Sequence, residues 1–487
     1  MSDKQNRRMM SVLRFAAPST SPRLFWGITG LMLVGCHAAL AWLSPEFQYD
    51  RPLSEEPVTA LVALSLAAGA VFLIAVWRAA FSRTTAKTVL PWIICVGIFL
   101  RGTMFVSTPM LEHDYYRYLW DGAVLAQRIN PYAYSPKQAI EATDSIPDAL
   151  VRLAQESDNV IARVSFPELR TIYPPVAQVT FAAAYLLRPW SLWALRTVLA
   201  LFDAVTLILL LIVLRDLKLS LSLVVIYWWN PLVVREIFNT MHLDVIALPF
   251  ALAAVVLARK DRQVEAAVTL ALAVAAKLWP LVLLPVILRP LLGAPRRLFL
   301  SLGAFGLVFA ISFLPVYLSG IDDSSGFVAY GRHWEMNDLA YKLISSGVKY
   351  VLFSLALDTS STQVISRILV CLVLAFWTLW LTRTAPLDSK QAWERCLLII
   401  AAVFLLSPTG FPWYFLWVVP FLVINPRPSL LLLNCLLPLY YMVYYCRGLG
   451  DPSTFDNLVV WAEYLPFVFV ASWELLKSEN SFVSRNL

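Results

Sequence analysis

Apolar runs of about 18–22 residues, each long enough to cross a bilayer as a helix, recur along most of the chain and are separated by short polar turns. They cover 24–43, 58–77, 89–106, 193–214, 220–235 and 242–258, then 298–318 and 364–382. A further run, 264–290, is interrupted at Lys277-Leu-Trp-Pro280 and reads as two half-helices that meet. Shorter segments follow at 396–408, 413–424, 429–446 and 458–476. The pattern predicts an all-α polytopic membrane protein of roughly 11–14 helices. Only two stretches break it, a long polar excursion at 107–191 and a shorter one at 319–347. Residues 1–487 are expected to form a single integral-membrane domain with these two excursions on one side.

Composition agrees: 59% of the 487 residues are hydrophobic and 15% charged, and mean hydropathy is +0.67. Eighteen Trp and nineteen Tyr suit a chain with many lipid–water boundaries. The net charge of +7 does not indicate a nucleic-acid partner, because the cations fall in short turns. Arg7, Arg8, Arg14 and Arg23 precede the first run, and Arg78, Arg83 and Lys87 follow the second. Arg215 with Lys218, Arg259-Lys260-Asp261-Arg262, Arg296-Arg297, Arg383 with Lys390, and Arg427 continue the series. Placing these turns in the cytoplasm puts both termini inside, and 107–191 and 319–347 outside. A bacterial inner membrane is the expected location. Ala39-Leu40-Ala41 mimics a signal cleavage site, but Leu24–Leu43 is long enough to stay as an uncleaved span. Six cysteines lie in or beside apolar runs without C-x-x-C spacing, so neither a disulfide framework nor a zinc site is expected.

Chemistry concentrates at Met110-Leu-Glu-His-Asp-Tyr-Tyr-Arg-Tyr-Leu-Trp-Asp-Gly122, where the third apolar run ends. A helix is expected from His113 to about Arg128, ended by Asn130-Pro131. Asp114, Arg117, Tyr118 and Asp121 then share one face. Glu112 and Asp114 are candidate general bases; the plainer reading makes Asp114 a helix cap and Glu112 a solvated neighbour. Lys277, a cation in an apolar run, should face a cavity or an anion, unless it snorkels to the interface. Arg101 should pair with an acid. Arg235, Glu236, His242 and Asp244 flank one outer turn, and Arg332-His333-Trp334-Glu335 forms a second outer cluster. Either binds phosphate or sugar, or makes loop contacts. Phe411-Pro-Trp-Tyr414 puts aromatics at the outer boundary, to anchor a helix or stack on a sugar ring. The run after Tyr173-Pro-Pro175 stops at Arg188-Pro189-Trp190, short for a crossing, and should lie along the membrane surface. Motifs for nucleotide phosphates, zinc proteases and serine hydrolases are absent. An activated donor should therefore be lipid-borne.

With these residues in order, the chain resembles the GT-C superfamily of integral-membrane glycosyltransferases, in particular bacterial polyprenyl-phosphate-mannose-dependent mannosyltransferases. The likeness spans 100–425 approximately. It rests on Glu112-His-Asp114 through Trp120-Asp-Gly122, Ile129-Asn-Pro-Tyr132, Tyr173-Pro-Pro175, Asn230-Pro231 with Asp244, Lys277-Leu-Trp-Pro280 and Pro412-Trp-Tyr414. The resemblance implies a helical fold whose first outer loop carries the catalytic base in an acidic motif. That role falls on Asp114 or Glu112, here separated by His113 instead of adjacent.

The expected reaction is a single inverting transfer of a hexose, mannose by resemblance, from a polyprenyl-phosphate donor to a glycolipid or glycan acceptor. Arg117, Lys277, His242 and Arg332 are candidates for neutralising the donor phosphate. Asp121, Tyr118, Tyr173, Asp244, Trp413 and Tyr414 are candidates for substrate contacts. No cofactor or metal is assigned; two carboxylates, Glu112 and Asp114, make an incomplete ion site. Membrane lipid is the other expected partner. The competing readings are a lipid-linked-sugar flippase or transporter, which fits poorly with polar residues gathered in one loop, and a polysaccharide polymerase or ligase.

Overall fold

The computed structural model describes residues 21–81, 86–142, 146–386 and 388–483, and only the backbone of 81, 86, 87 and 478–483. Arg7, Arg8, Arg14 and Arg83 of the basic pattern lie outside the described residues, as does the side chain of Lys87.

Among the described residues the chain is helical, and the extended pairings are two isolated bridges, Arg170 with Ser325 and Met336 with Thr409. Eight helices are long and apolar enough to cross a membrane, and nine if one bent pair is counted as a span. The protein is a multi-pass membrane protein. The expected 11–14 helices divide into these spans and shorter helices. The first three spans are α1 (Pro22–Leu43), α2 (Val58–Phe81) and α3 (Ala86–Phe105). The long excursion begins with α4 (Asp114–Ala126) and ends with α5 (Pro175–Leu187). After it come α6 (Leu192–Asp216), the bent pair ending in α7 (Pro231–Phe238), α8 (Ala247–Arg259), α9 (Gln263–Ala276) and α10 (Pro295–Leu318).

The bent pair turns by 51° between Trp228 and Pro231. Asn230 explains the break: its side-chain oxygen accepts from the amides of Leu232 and Val233, and Pro231 supplies a first helical residue with no amide to satisfy. Its amide also bonds Asn434 at 3.0 Å, so the cap is itself held deep inside the protein. The break at Lys277 is real too. Helix α9 stops at Ala276, Lys277 is extended, and Trp279–Leu283 continues as a tight 3-10 turn.

The loops sort to two ends. At one end Thr108 bonds Ser44, Arg163 bonds Asp50, Asn130 bonds Ser319, Met336 bonds Pro408, and Tyr444 bonds Glu112. At the other, Lys260 meets Asp216, Arg297 meets Gln263, Arg289 caps the carbonyls of Thr382 and Arg383, and Arg427 meets Glu394. Basic residues of the turns near Lys260, Arg297, Arg383 and Arg427 gather at this second end. The 319–347 excursion, expected as a polar loop, instead carries α11 (Gly326–His333) and most of α12 (Leu339–Ser354), whose Tyr350 and Phe353 are exposed.

The excursion at 107–191 sits on the bundle through α4. One side of α4 contributes Tyr115 and Tyr118 to the main core. Its other side contributes Trp120, Ala123 and Val124 to a small separate core with Ala139, Leu150, Leu153 and Ile161. Helix α5 packs against α4 at Gly122, where an added Cβ would lie 2.5 Å from the Phe181 carbonyl oxygen. The glycine of the acidic motif is thus required by close approach of two helices.

Candidate active site

Helix α4 starts at Asp114, preceded by His113, which makes no side-chain capping bond. Asp114 is therefore not the cap. Its carboxylate is half-buried and accepts from the Tyr118 hydroxyl at 3.5 Å. Glu112 is buried and accepts from the Tyr444 hydroxyl at 2.8 Å. Burial pushes the Glu112 carboxyl up to about 7, with Asp114 adding to the rise and His242 and Tyr444 opposing it. Between Met110 and Glu112 the backbone of Leu111 is left-handed, φ 71°. Met241, directly before His242, is also left-handed at φ 58°. Such bulky residues cost about 1–3 kcal/mol there and persist where the surroundings impose them, commonly at functional sites. Neither was visible in the sequence.

The other wall comes from the break after α9 and from the turn between α7 and α8. Lys277 Nζ lies 3.3 Å from Asp244 and 4.6 Å above the Tyr414 ring. Asp244 accepts from the Trp417 indole at 2.6 Å, and Trp417 stacks on Tyr414 and Trp279. Tyr414 in turn bonds Tyr330 at 2.8 Å. His242 stacks on Trp413 with ring centres 4.0 Å apart. Its Nδ1 is 2.9 Å from both Glu236 and Thr240, while its buried Nε2 has no partner among the described residues. With the carboxylate beside it, Nδ1 carries a proton and donates to Glu236.

Contacting aromatic side chains join these walls: Glu112 meets Tyr444, which meets Tyr440, then Trp413, Tyr414 and Lys277. Burial and Tyr173, and then the charges of Asp114 and Asp244, push the Tyr118 phenol well above its ordinary value. Tyr118 donates to Asp114, with Tyr173 packed edge-on at 4.9 Å. The structure brings together Glu112, Asp114, Tyr118, Tyr173, His242, Asp244, Lys277, Trp413 and Tyr414 of the sequence-predicted set.

Three members have other partners. Arg117 bonds Asp121 at 2.9 Å and the Leu169 carbonyl, while Asp121 also accepts from Thr171 and Gln178. This pair pins the strand-like approach to α5 onto α4, where a phosphate contact was expected of Arg117 and a substrate contact of Asp121. Arg332 is exposed and paired with Asp323, so its guanidinium faces solvent. Arg235 and Glu236, both buried, form with Tyr441 a closed support behind His242. Arg101 does pair with an acid, Asp203, inside the bundle. Among the described residues no three His, Cys, Asp or Glu side chains group as an ion site.

Sequence reasoning missed Tyr440, Tyr441 and Tyr444, although Tyr440-Tyr-Met-Val-Tyr-Tyr445 is a dense aromatic run at a span end. It also missed Trp417 and Asn239; the Asn239 side chain bonds Ser107, Thr108 and Met110 and so fixes the loop that presents Glu112.

No curated protein and no solved structure matches the chain. Residues 24–293, more than half of the 487, match the family described as alpha-(1->6)-mannopyranosyltransferase, N-terminal domain. That stretch holds both motif carboxylates, His242, Asp244 and Lys277, and with it the chain belongs to this family of mannosyl-transferring glycosyltransferases.

Proposed function

We propose that the protein transfers mannose from a polyprenyl-phosphate donor to a hydroxyl of a glycolipid or glycan acceptor at the outer face of the membrane. The observation that carries this is a half-buried carboxylate, Asp114, and a half-buried cation, Lys277, on two walls joined by contacting aromatic side chains. A transferase acting on a sugar phosphate needs that combination: a base for the nucleophile and positive charge for the leaving group.

Asp114 is the base because it is the accessible member of the pair; Glu112 is buried under Tyr444. The acceptor oxygen attacks the anomeric carbon, its proton passes to Asp114, and the carbon–oxygen bond to phosphate breaks. The electron pair leaves on polyprenyl phosphate, whose charge Lys277 offsets. An α bond made by one inversion requires a β-linked donor. Lys277 is loosely paired, at 3.3 and 3.5 Å from the two oxygens of Asp244, so a phosphate oxygen is able to share it. His242, bonded to Glu236 through Nδ1 and stacked on Trp413, holds that indole in the wall. Tyr118, Tyr173 and Tyr414 exclude water around the reacting centre.

Purified protein with a β-linked polyprenyl-phosphate mannose and a mannoside acceptor tests the reading. Transfer by wild type and its loss in Asp114→Asn are expected. Equal transfer by Asp114→Asn and Glu112→Gln would remove the carboxylate base; movement of donor across vesicles without transfer would establish a carrier.

A further inference from the structure

Outside the cluster around Asp114, a groove of about 520 Å³ opens between the loop after α3 and the start of α6. Its polar wall is cationic, and its lining contains no Asp or Glu. Arg196 sits at its base, 3% exposed, donating to the carbonyls of Phe105, Ser107 and Asn239. Those acceptors are neutral, and the buried Nε has no partner among the described residues. A guanidinium held at the boundary of a membrane protein without a carboxylate is an unbalanced charge, and such charges recur where an anion completes the set.

Three further features point to what that anion is. Arg188 stands at the rim, exposed, with no ion pair among the described residues. Helix α6 begins at the groove with no acid in its first turn, so its 25 residues aim a positive dipole end at the same space. Beside this polar wall the surface is apolar, since Val106, Leu186 and Trp193 are all more than half exposed. Trp190, held left-handed at φ 55°, adds an indole to the lining. Positive charge above exposed apolar side chains and two indoles is the chemistry of a lipid headgroup boundary.

We infer that this groove binds the phosphate group of a membrane lipid, held by Arg188 and Arg196 with its acyl chains along Val106, Leu186 and Trp193. The site is separate from the donor phosphate assigned to Lys277. It stands whether or not that assignment does.

The test uses the full-length protein, delipidated in neutral detergent and titrated with phosphatidylglycerol or with diacylglycerol of the same chains, bound lipid being counted by native mass spectrometry. Phosphatidylglycerol should bind about tenfold more tightly than diacylglycerol, and Arg188→Gln should remove about that tenfold. Arg196→Lys, which keeps the charge and loses the fork, should weaken phosphatidylglycerol alone. If millimolar inorganic phosphate fails to displace the lipid, the ligand is a headgroup. Displacement would assign the same groove to free phosphate. Equal affinity for the two lipids, or phosphatidylglycerol binding unchanged in both variants, overturns the inference.

Discussion

Two of the buried ion pairs differ in how completely their bonds are used. Arg101 and Asp203 join α3 to α6 at 2.7 Å. Asp203 also accepts from Tyr227, while Arg101 donates to the Trp228 carbonyl and lies 3.4 Å from the centre of its indole. Gly97 makes room for that indole, since a Cβ there would meet it at 2.0 Å. Lys277 and Asp244 are also sequestered, yet their contact is 3.3 Å and the lysine side chain keeps 17% exposure beside an aromatic face. Burial therefore does not separate a closed ion pair from an open one. Saturation does: the first pair has no capacity left, whereas the second can still accept a ligand.

The sharpest break in the comparison falls on the group opposite Lys277. Asp114→Asn should lower kcat for mannosyl transfer by roughly a thousandfold while leaving the melting temperature within a degree or so of wild type. A large fall in melting temperature instead would return Asp114 to a structural role. Next, Lys277→Met should lower transfer by about a hundredfold, with Lys277→Arg recovering part of it and thermal stability little changed. The Arg101–Asp203 pair should behave in the opposite way. Asp203→Asn leaves a buried guanidinium uncompensated and should cost on the order of 3–5 kcal/mol, read as lost yield of folded protein. Arg101→Met with Asp203→Leu should recover much of it, because no charge then remains to be solvated. Recovery of transfer, and not only of folding, would show that the pair is scaffolding.

The smallest effect concerns pH. Glu112 is pushed to about 7 in the fold against 4.5 ordinarily, so folding favours its protonated form. That stabilisation is complete below pH 4.5 or so, falls as pH rises towards 7, and is gone above it. Glu112→Gln stays neutral throughout, so its melting temperature should exceed that of wild type by more at pH 8 than at pH 5. A constant difference across that range would place Glu112 in a solvated setting.

Much of the architecture was legible because spans are local: an apolar run must satisfy its own backbone in lipid, and helices do so within themselves. The proline break at Lys277 and the cap at Asn230-Pro231 were equally local. The acidic motif stood out by contrast with its surroundings. What could not be read were partners distant in the chain. Tyr444 reaches Glu112 across 332 positions, and nothing near Glu112 announces it. Arg117 and Asp121, on one helix face as expected, turned to each other and to Leu169, Thr171 and Gln178, a choice made by how the returning chain packs.

The sequence by itself determined that this chain crosses a membrane many times, which turns carry the cations, and where the carboxylates leave the hydrocarbon. Each follows from the solvation of short segments, one at a time. Only the tertiary structure decided which charges are quenched and which stay open, because that depends on side chains supplied by helices hundreds of residues apart. Asp114 and Lys277 remain available; Arg101, Arg117, Asp121 and Asp203 do not.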